Sequence, residues 1–143
     1  MTTLDSFHPA YYYNLSGAST AIVTDCIMDA ADAGQERDYA GKTISVHPVP
    51  SDSGVPRGKV VIKGSGIIAG SCTNLLRVFQ DLVKIMDVPI GVAVQMVSET
   101  PSKIAGIDDA VGSIQVGRWA DILLFDKNLT LMKVFIGGED ISL

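Results

Sequence analysis

Thr20-Ala21-Ile22-Val23-Thr24-Asp25 (TAIVTD, residues 20–25) is the stretch on which the fold turns. It is short, apolar and rich in β-branched residues, and it stops at a carboxylate. It therefore reads as a buried strand ending in an aspartate. In α/β and barrel enzymes the C-terminal ends of strands are where catalytic groups stand. The competing reading is structural, with Asp25 capping the following loop through an Asx turn.

Working outward, residues 1–19 are polar and aromatic and include Tyr11-Tyr12-Tyr13, while residues 26–41 are small and acidic and read as an ordered loop. Alternating segments at Lys42–His47 and Lys59–Lys63 flank a Pro-, Ser- and Gly-rich stretch at 48–58, which predicts a hairpin with a long connection. Leu75, Phe79, Leu82, Val83 and Met86 recur at spacings of three and four. They predict a helix over about 72–86, capped by Ser71 or Thr73. Residues 88–98 read as a second helix. Thr100-Pro101 opens a third, because proline fits a first helical turn and disfavours helix before it. The tail returns to β structure: Ala120–Asp126 and Leu129–Ile136 joined by the turn Asp126-Lys127-Asn128, then a turn at Gly137-Gly138. This order lacks the strand–helix alternation of a complete doubly wound sheet or barrel, so the class is α/β with an incomplete barrel.

The composition sets the outer limits. The chain has 143 residues, 47% hydrophobic and 19% charged, with a net charge of −5. That is one domain's length, able to bury about two-thirds of its surface, and its aliphatic content excludes a disordered chain. No apolar run reaches the roughly 18 residues of a membrane span. An acidic chain with scattered Lys and Arg argues against a nucleic-acid partner. Two cysteines make no disulfide framework, and with no signal peptide read at the start the expected location is cytoplasmic.

Beyond Asp25 the candidates are few. His8 and His47 are the only histidines, and no HxH, HExxH or paired CxxC spacing accompanies them, so no metal site is expected. His47 reads as an exposed surface histidine on its strand. Cys26 beside Asp25 reads as a small buried thiol, since the neighbouring carboxylate disfavours its thiolate. Cys72, at the expected helix start, is better placed for activation but has no base beside it. Gly64-Ser65-Gly66 and Ala69-Gly70-Ser71 lead into the long helix. Such a turn offers backbone N–H groups to an anion or acyl oxygen, but without a Lys-Ser/Thr signature it is not an ATP-type loop. The three tyrosines suit stacking on a sugar ring or partial burial equally.

Taken together, VTD at 23–25 with DAADAG, AGKTISV at 40–46, GIIAGSCTNLLRVFQDLV at 66–83, ETPSKIAGI at 99–107, GSIQVGRWADILLFDKNL at 112–129 and VFIGGEDI at 134–141 resemble the amidohydrolase superfamily. Within it they resemble the C-terminal portion of the N-acetylglucosamine-6-phosphate deacetylase family, from about Asp5 onward. The resemblance implies the last strands and helices of a metal-dependent-hydrolase TIM barrel plus the C-terminal part of a small β-sandwich. Residues 1–109 would be the barrel part, with an inserted hairpin at about 40–64, and 110–143 the sandwich strands. It also implies metal-dependent hydrolysis of an acetamido group, giving glucosamine 6-phosphate and acetate. Asp25 matches the family's acid/base aspartate, while His8, in DSFHPAYY with Ser6 in place of a glycine, matches a substrate-contacting histidine. Ile68, Ala69 and Gly70 match the loop facing the substrate's acyl end. The family's divalent, zinc-type metal is held by a glutamate and two histidines on earlier strands that have no counterpart here. A whole barrel needs about 250 residues. The expectation is thus a partial deacetylase that binds no metal and is not competent alone, the complement of a missing barrel half or a homo-oligomer. The alternatives are a non-catalytic oligomerising α/β domain and a sugar-phosphate-binding module.

Overall fold

The computed structural model describes residues 20–28, 34–49 and 57–141. They divide into two compact units, one of Val23–Asp81 and one combining 20–22 with 82–141. This is a division by spatial contact and runs differently from the division by resemblance at residue 109.

The Val23–Asp81 unit is built on an antiparallel sheet in the order β1-β2-β3-β4, where β1 is Glu36–Tyr39, β2 Lys42–Val49, β3 Arg57–Ile62 and β4 Ile68–Ser71. The hairpin expected from the alternating segments is β2–β3, with Ile44 opposite Ile62, Val46 opposite Val60 and His47 opposite Lys59. Alternation puts Ile44, Val46 and Val60 on the buried side. There, with Met28 and Cys72, they form a core joined by Ile27, Ile62 and Ala69. Each such aliphatic side chain contributes roughly 1.5–3 kcal/mol when fully buried. The opposite side is polar, and Ser45 Oγ lies 3.2 Å from His47 Nε2. His47 is exposed, as expected.

Several local expectations are corrected. Residues 36–39, taken within a loop, form β1, paired with β2 from Glu36 opposite Ser45 to Tyr39 opposite Lys42. Residues 68–71, taken as part of a glycine-rich turn, form β4, and the turn is confined to residues 63–65. Val23 is 75% exposed, so the 20–25 stretch is not uniformly buried. Residues 20–25 form no strand of either sheet; just past them, Cys26 makes an isolated parallel bridge to Ser71. Cys26 is exposed rather than buried, and Cys72 is buried ahead of the helix rather than at its start.

Helix α1 (Leu75–Lys84) begins later than expected, because Asn74 caps it: the Arg77 backbone N–H donates to Asn74 Oδ1 at 2.9 Å. Arg77 is itself buried and pairs with Asp81 one turn on, at 2.7 Å. The second and third expected helices are one continuous helical rod. It runs through α2 (Ile90–Val94), a π-helical turn (Gln95–Glu99) and α3 (Thr100–Ala105), with Val94, Gln95, Glu99 and Thr100 all right-handed helical. Pro101 lacks an amide N–H and cannot join an α-type ladder, and the wider turn just before it is a common way to absorb that loss. The Met96 carbonyl there accepts the Ile22 N–H at 2.9 Å. Gly106, at φ +70, ends the rod.

The tail forms a separate antiparallel sheet, β5 (Ile122–Phe125), β6 (Leu131–Ile136) and β7 (Glu139–Ile141). Both expected turns are present, and β7 is an additional strand. Among the described residues no helix is long and apolar enough to cross a membrane.

Candidate active-site segment

Asp25 and the 68–70 segment lie 43 to 45 positions apart in the chain, and the fold brings them together. Thr24 to Ile27 runs parallel to the end of β4. The Ser71 N–H donates to the Asp25 carbonyl at 2.8 Å, and the Ile27 N–H donates to the Ser71 carbonyl at 3.1 Å. The Ser71 hydroxyl donates to the Thr24 carbonyl. The Cys26 N–H donates to Thr24 Oγ1 at 3.3 Å.

Gly70 makes this approach possible. A Cβ at that position would lie 2.8 Å from the Asp25 carbonyl oxygen and 3.0 and 3.1 Å from the Ile27 side chain. Asp25 is exposed and has φ +49, in the left-handed region that aspartate enters more readily than most residues. The kink at the end of the 20–25 stretch is therefore a specific backbone conformation, braced by a neighbouring strand.

Of the other candidates, Ile68 is half exposed, Ala69 partly buried and Gly70 buried. An open hollow of about 340 Å³, lined by Tyr39, Ala40, Lys42, Ile44, Ile62 and Ala69, adjoins the same strand. His8 and Tyr11 to Tyr13 lie outside the described residues. The sequence places Ser71 in a glycine-rich turn or as a helix cap, and neither reading contains its bonds to Thr24 and Asp25. The available signal was the pair of small residues, Gly70-Ser71, in an otherwise apolar strand.

Among the described residues, no group of three or more His, Cys, Asp or Glu side chains could hold a metal ion. His47 sits on the polar side of the sheet beside Ser45. The described residues do not fit the family's metal centre.

Comparison with known proteins gives a consistent answer. The amidohydrolase family profile matches residues 16–141. The N-acetylglucosamine-6-phosphate deacetylase of Caenorhabditis elegans is 28% identical over 132 residues, covering 92% of this chain and 29% of the relative. The solved N-acetylglucosamine-6-phosphate deacetylase of Pasteurella multocida superposes with a TM-score of 0.69 at 25% identity, covering 86% of this chain and 30% of that one. The Mycobacterium smegmatis enzyme, solved in complex with N-acetyl-D-glucosamine-6-phosphate, gives a TM-score of 0.74 at 22% identity over 94% of this chain and 34% of that one, a likeness of fold. The chain thus spans about three-tenths of the length of the C. elegans relative. With its profile match running over most of its length, the chain belongs to the amidohydrolase family.

Proposed function

We propose that this chain carries the acid/base segment of a deacetylase-type site acting on an N-acetylated amino-sugar 6-phosphate. The observation that carries the reading is the placement of Asp25, kinked out at the end of the 20–25 stretch and laid against Gly70-Ser71. Asp25 would take the proton of the attacking water and return it to the departing amine. A positioned carboxylate in that role contributes about 10²–10⁴-fold. The backbone of Ile68, Ala69 and Gly70 would face the acyl end of the substrate, and His8 would contact the sugar. In the family, a divalent metal supplies the activation of the water. Because the described residues do not form that centre, the activity requires ligands from elsewhere. On this reading, the 20–27 stretch and the helical rod descend from the end of a barrel, the β2–β3 hairpin is an insertion into it, and β5–β7 descend from a small sandwich.

The test is a titration of the labelled protein with N-acetylglucosamine 6-phosphate, followed by NMR, alongside an assay of acetate release with and without added Zn²⁺. Expected are amide shifts concentrated at 23–26 and 68–71, with no acetate released by the chain alone. Shifts absent, or confined to the β5–β7 sheet, would remove the site from Asp25. Metal-dependent turnover that survives Asp25→Asn would remove the acid/base role.

A further inference from the structure

We infer that Ser71 is the positioning residue that aims Asp25, fixing the direction in which its side chain leaves the backbone by gripping the peptide groups on both sides of its Cα. The direction of a side chain leaving the backbone is set by φ and ψ, and these are set by the orientation of the two flanking peptide planes. The plane between Thr24 and Asp25 contains the Thr24 carbonyl, which accepts the Ser71 hydroxyl. The plane between Asp25 and Cys26 contains the Asp25 carbonyl, which accepts the Ser71 N–H at 2.8 Å. That second plane is held again through its N–H, which Thr24 Oγ1 accepts at 3.3 Å. The Ser71 carbonyl then binds the Ile27 N–H at 3.1 Å, so one residue brackets Asp25 from before and after.

The bracket has something to hold. At φ +49 Asp25 occupies a region that costs an L-residue energy, and such a conformation persists only when its surroundings over-determine it. Rotating the 24–25 peptide would relieve the cost and turn the carboxylate away. The hydroxyl on the Thr24 carbonyl opposes that rotation. It is itself oriented, because Ser71 Oγ also accepts the Thr73 N–H at 3.3 Å. Backbone bonds alone would be available to any residue at position 71, whereas the grip on the 24–25 plane needs a hydroxyl.

This role gains its catalytic meaning from the reading of Asp25 as the acid/base, but its test uses no turnover and stands or falls separately. Wild type, Ser71→Ala and Ser71→Thr are compared by NMR, through the intraresidue Hα–HN NOE and the Cα and Cβ shifts of Asp25, which distinguish positive from negative φ. The amides of the β2–β3 ladder report the fold. Expected is a positive-φ Asp25 in wild type, a second or averaged conformer in Ser71→Ala with the ladder intact, and restoration in Ser71→Thr. The melting temperature of Ser71→Ala should fall by about 3–10 °C, the loss of the two hydrogen bonds its hydroxyl makes.

All three proteins are also made with Gly91→Ala, a stabilising change on an exposed helical turn, so that a fold lost in one background is recovered in the other. Three outcomes overturn the inference. They are a single positive-φ conformer that persists in Ser71→Ala, failure of threonine to restore it in a folded protein, and unfolding of Ser71→Ala in both backgrounds. The last would make Ser71 a pillar of the fold rather than a guide for Asp25.

Discussion

At the scale of single residues, two glycines separate what the backbone needs from what it tolerates. Gly70 faces the Asp25 carbonyl, a backbone atom that cannot swing aside, so a methyl group there must push the 25–27 segment off β4. Gly70→Ala is expected to destabilise by about 1–3 kcal/mol, the usual cost of overpacking, and to shift the amides of Asp25 and Ile27. Gly91 sits in α2, and a Cβ added to it would meet nothing within 4 Å. Gly91→Ala is expected to stabilise by about 0.5–1 kcal/mol, through better helix propensity and a less flexible unfolded chain. Denaturant melts of the two proteins should move in opposite directions. Equal movement would mean that the close approach of β4 to Asp25 is wrong.

At the scale of elements, the β5–β6 connection is tied by one side chain. Asp126 Oδ1 accepts the backbone N–H of Asn128 at 2.8 Å and of Thr130 at 2.7 Å, while Leu129 between them takes φ +58. The Thr130 backbone N–H, ahead of that of Asn128, holds the Asp126 carboxyl below its ordinary value, against a smaller opposing effect of desolvation. A carboxyl whose folded value is lowered adds stability above its unfolded value, near pH 3.9, and loses it as the pH falls through the folded value. The expected outcome is a side-chain titration of Asp126 in the folded protein with its midpoint below that of an unstructured aspartate. The β5–β6 turn amides should loosen in step with it. Asp126→Ala should remove that acid-dependent step and leave the β2–β3 amides unmoved, as two-dimensional spectra from pH 5 to pH 2 would show.

The same scale explains what the sequence could and could not reveal. Helix α1 and the β2–β3 and β5–β6 hairpins were legible because their apolar residues repeat at the period of the element and their turns carry Gly, Asn and Asp. Strand β1 was not, because Glu-Arg-Asp-Tyr is exposed throughout and holds its place by backbone pairing with β2 at a sheet edge. Charges suit such an edge but erase the alternation. The bracket around Asp25 was hidden for another reason. Thr24 and Ser71 are 47 residues apart, and local patterning carries no information about a contact at that separation. For Asp25 itself, a β-branched run stopping at a carboxylate drew the eye, while its left-handed φ was beyond any local pattern.

At the scale of the whole molecule, the question is what the exposed apolar surface is for. Val116, Ile114, Ile104 and Trp119 are among the most exposed large side chains, from 69% to fully exposed. In the β5–β7 sheet the register aligns Leu123 with Val134 and Val134 with Ile141. Alternation along β6 adds Met132 and Ile136 to that side. The other side carries the Lys133–Asp140 ion pair, at 2.6 Å, together with Ile122, Leu124 and Phe135, while Glu139 stands opposite Ile136 on the first side, so both sides mix charge with apolar carbon. Leu123, Met132, Ile136 and Ile141 are exposed on the first side, and grouped exposed apolar side chains make it a candidate contact surface. The partner present at the same concentration as every copy is another copy, and the net charge of −5 is small enough to leave association open. Sedimentation velocity is therefore expected to show concentration-dependent association of the purified chain. The double substitution Leu123→Lys with Ile136→Lys should return it to monomer while the β2–β3 amides remain dispersed. A monomer at all concentrations would mean that this face waits for a different polypeptide, such as one bearing the metal ligands that the described residues lack. The acetate assay would then have to be run with that polypeptide added, because in the proposed reading Asp25 would supply only the proton-transfer part of the reaction.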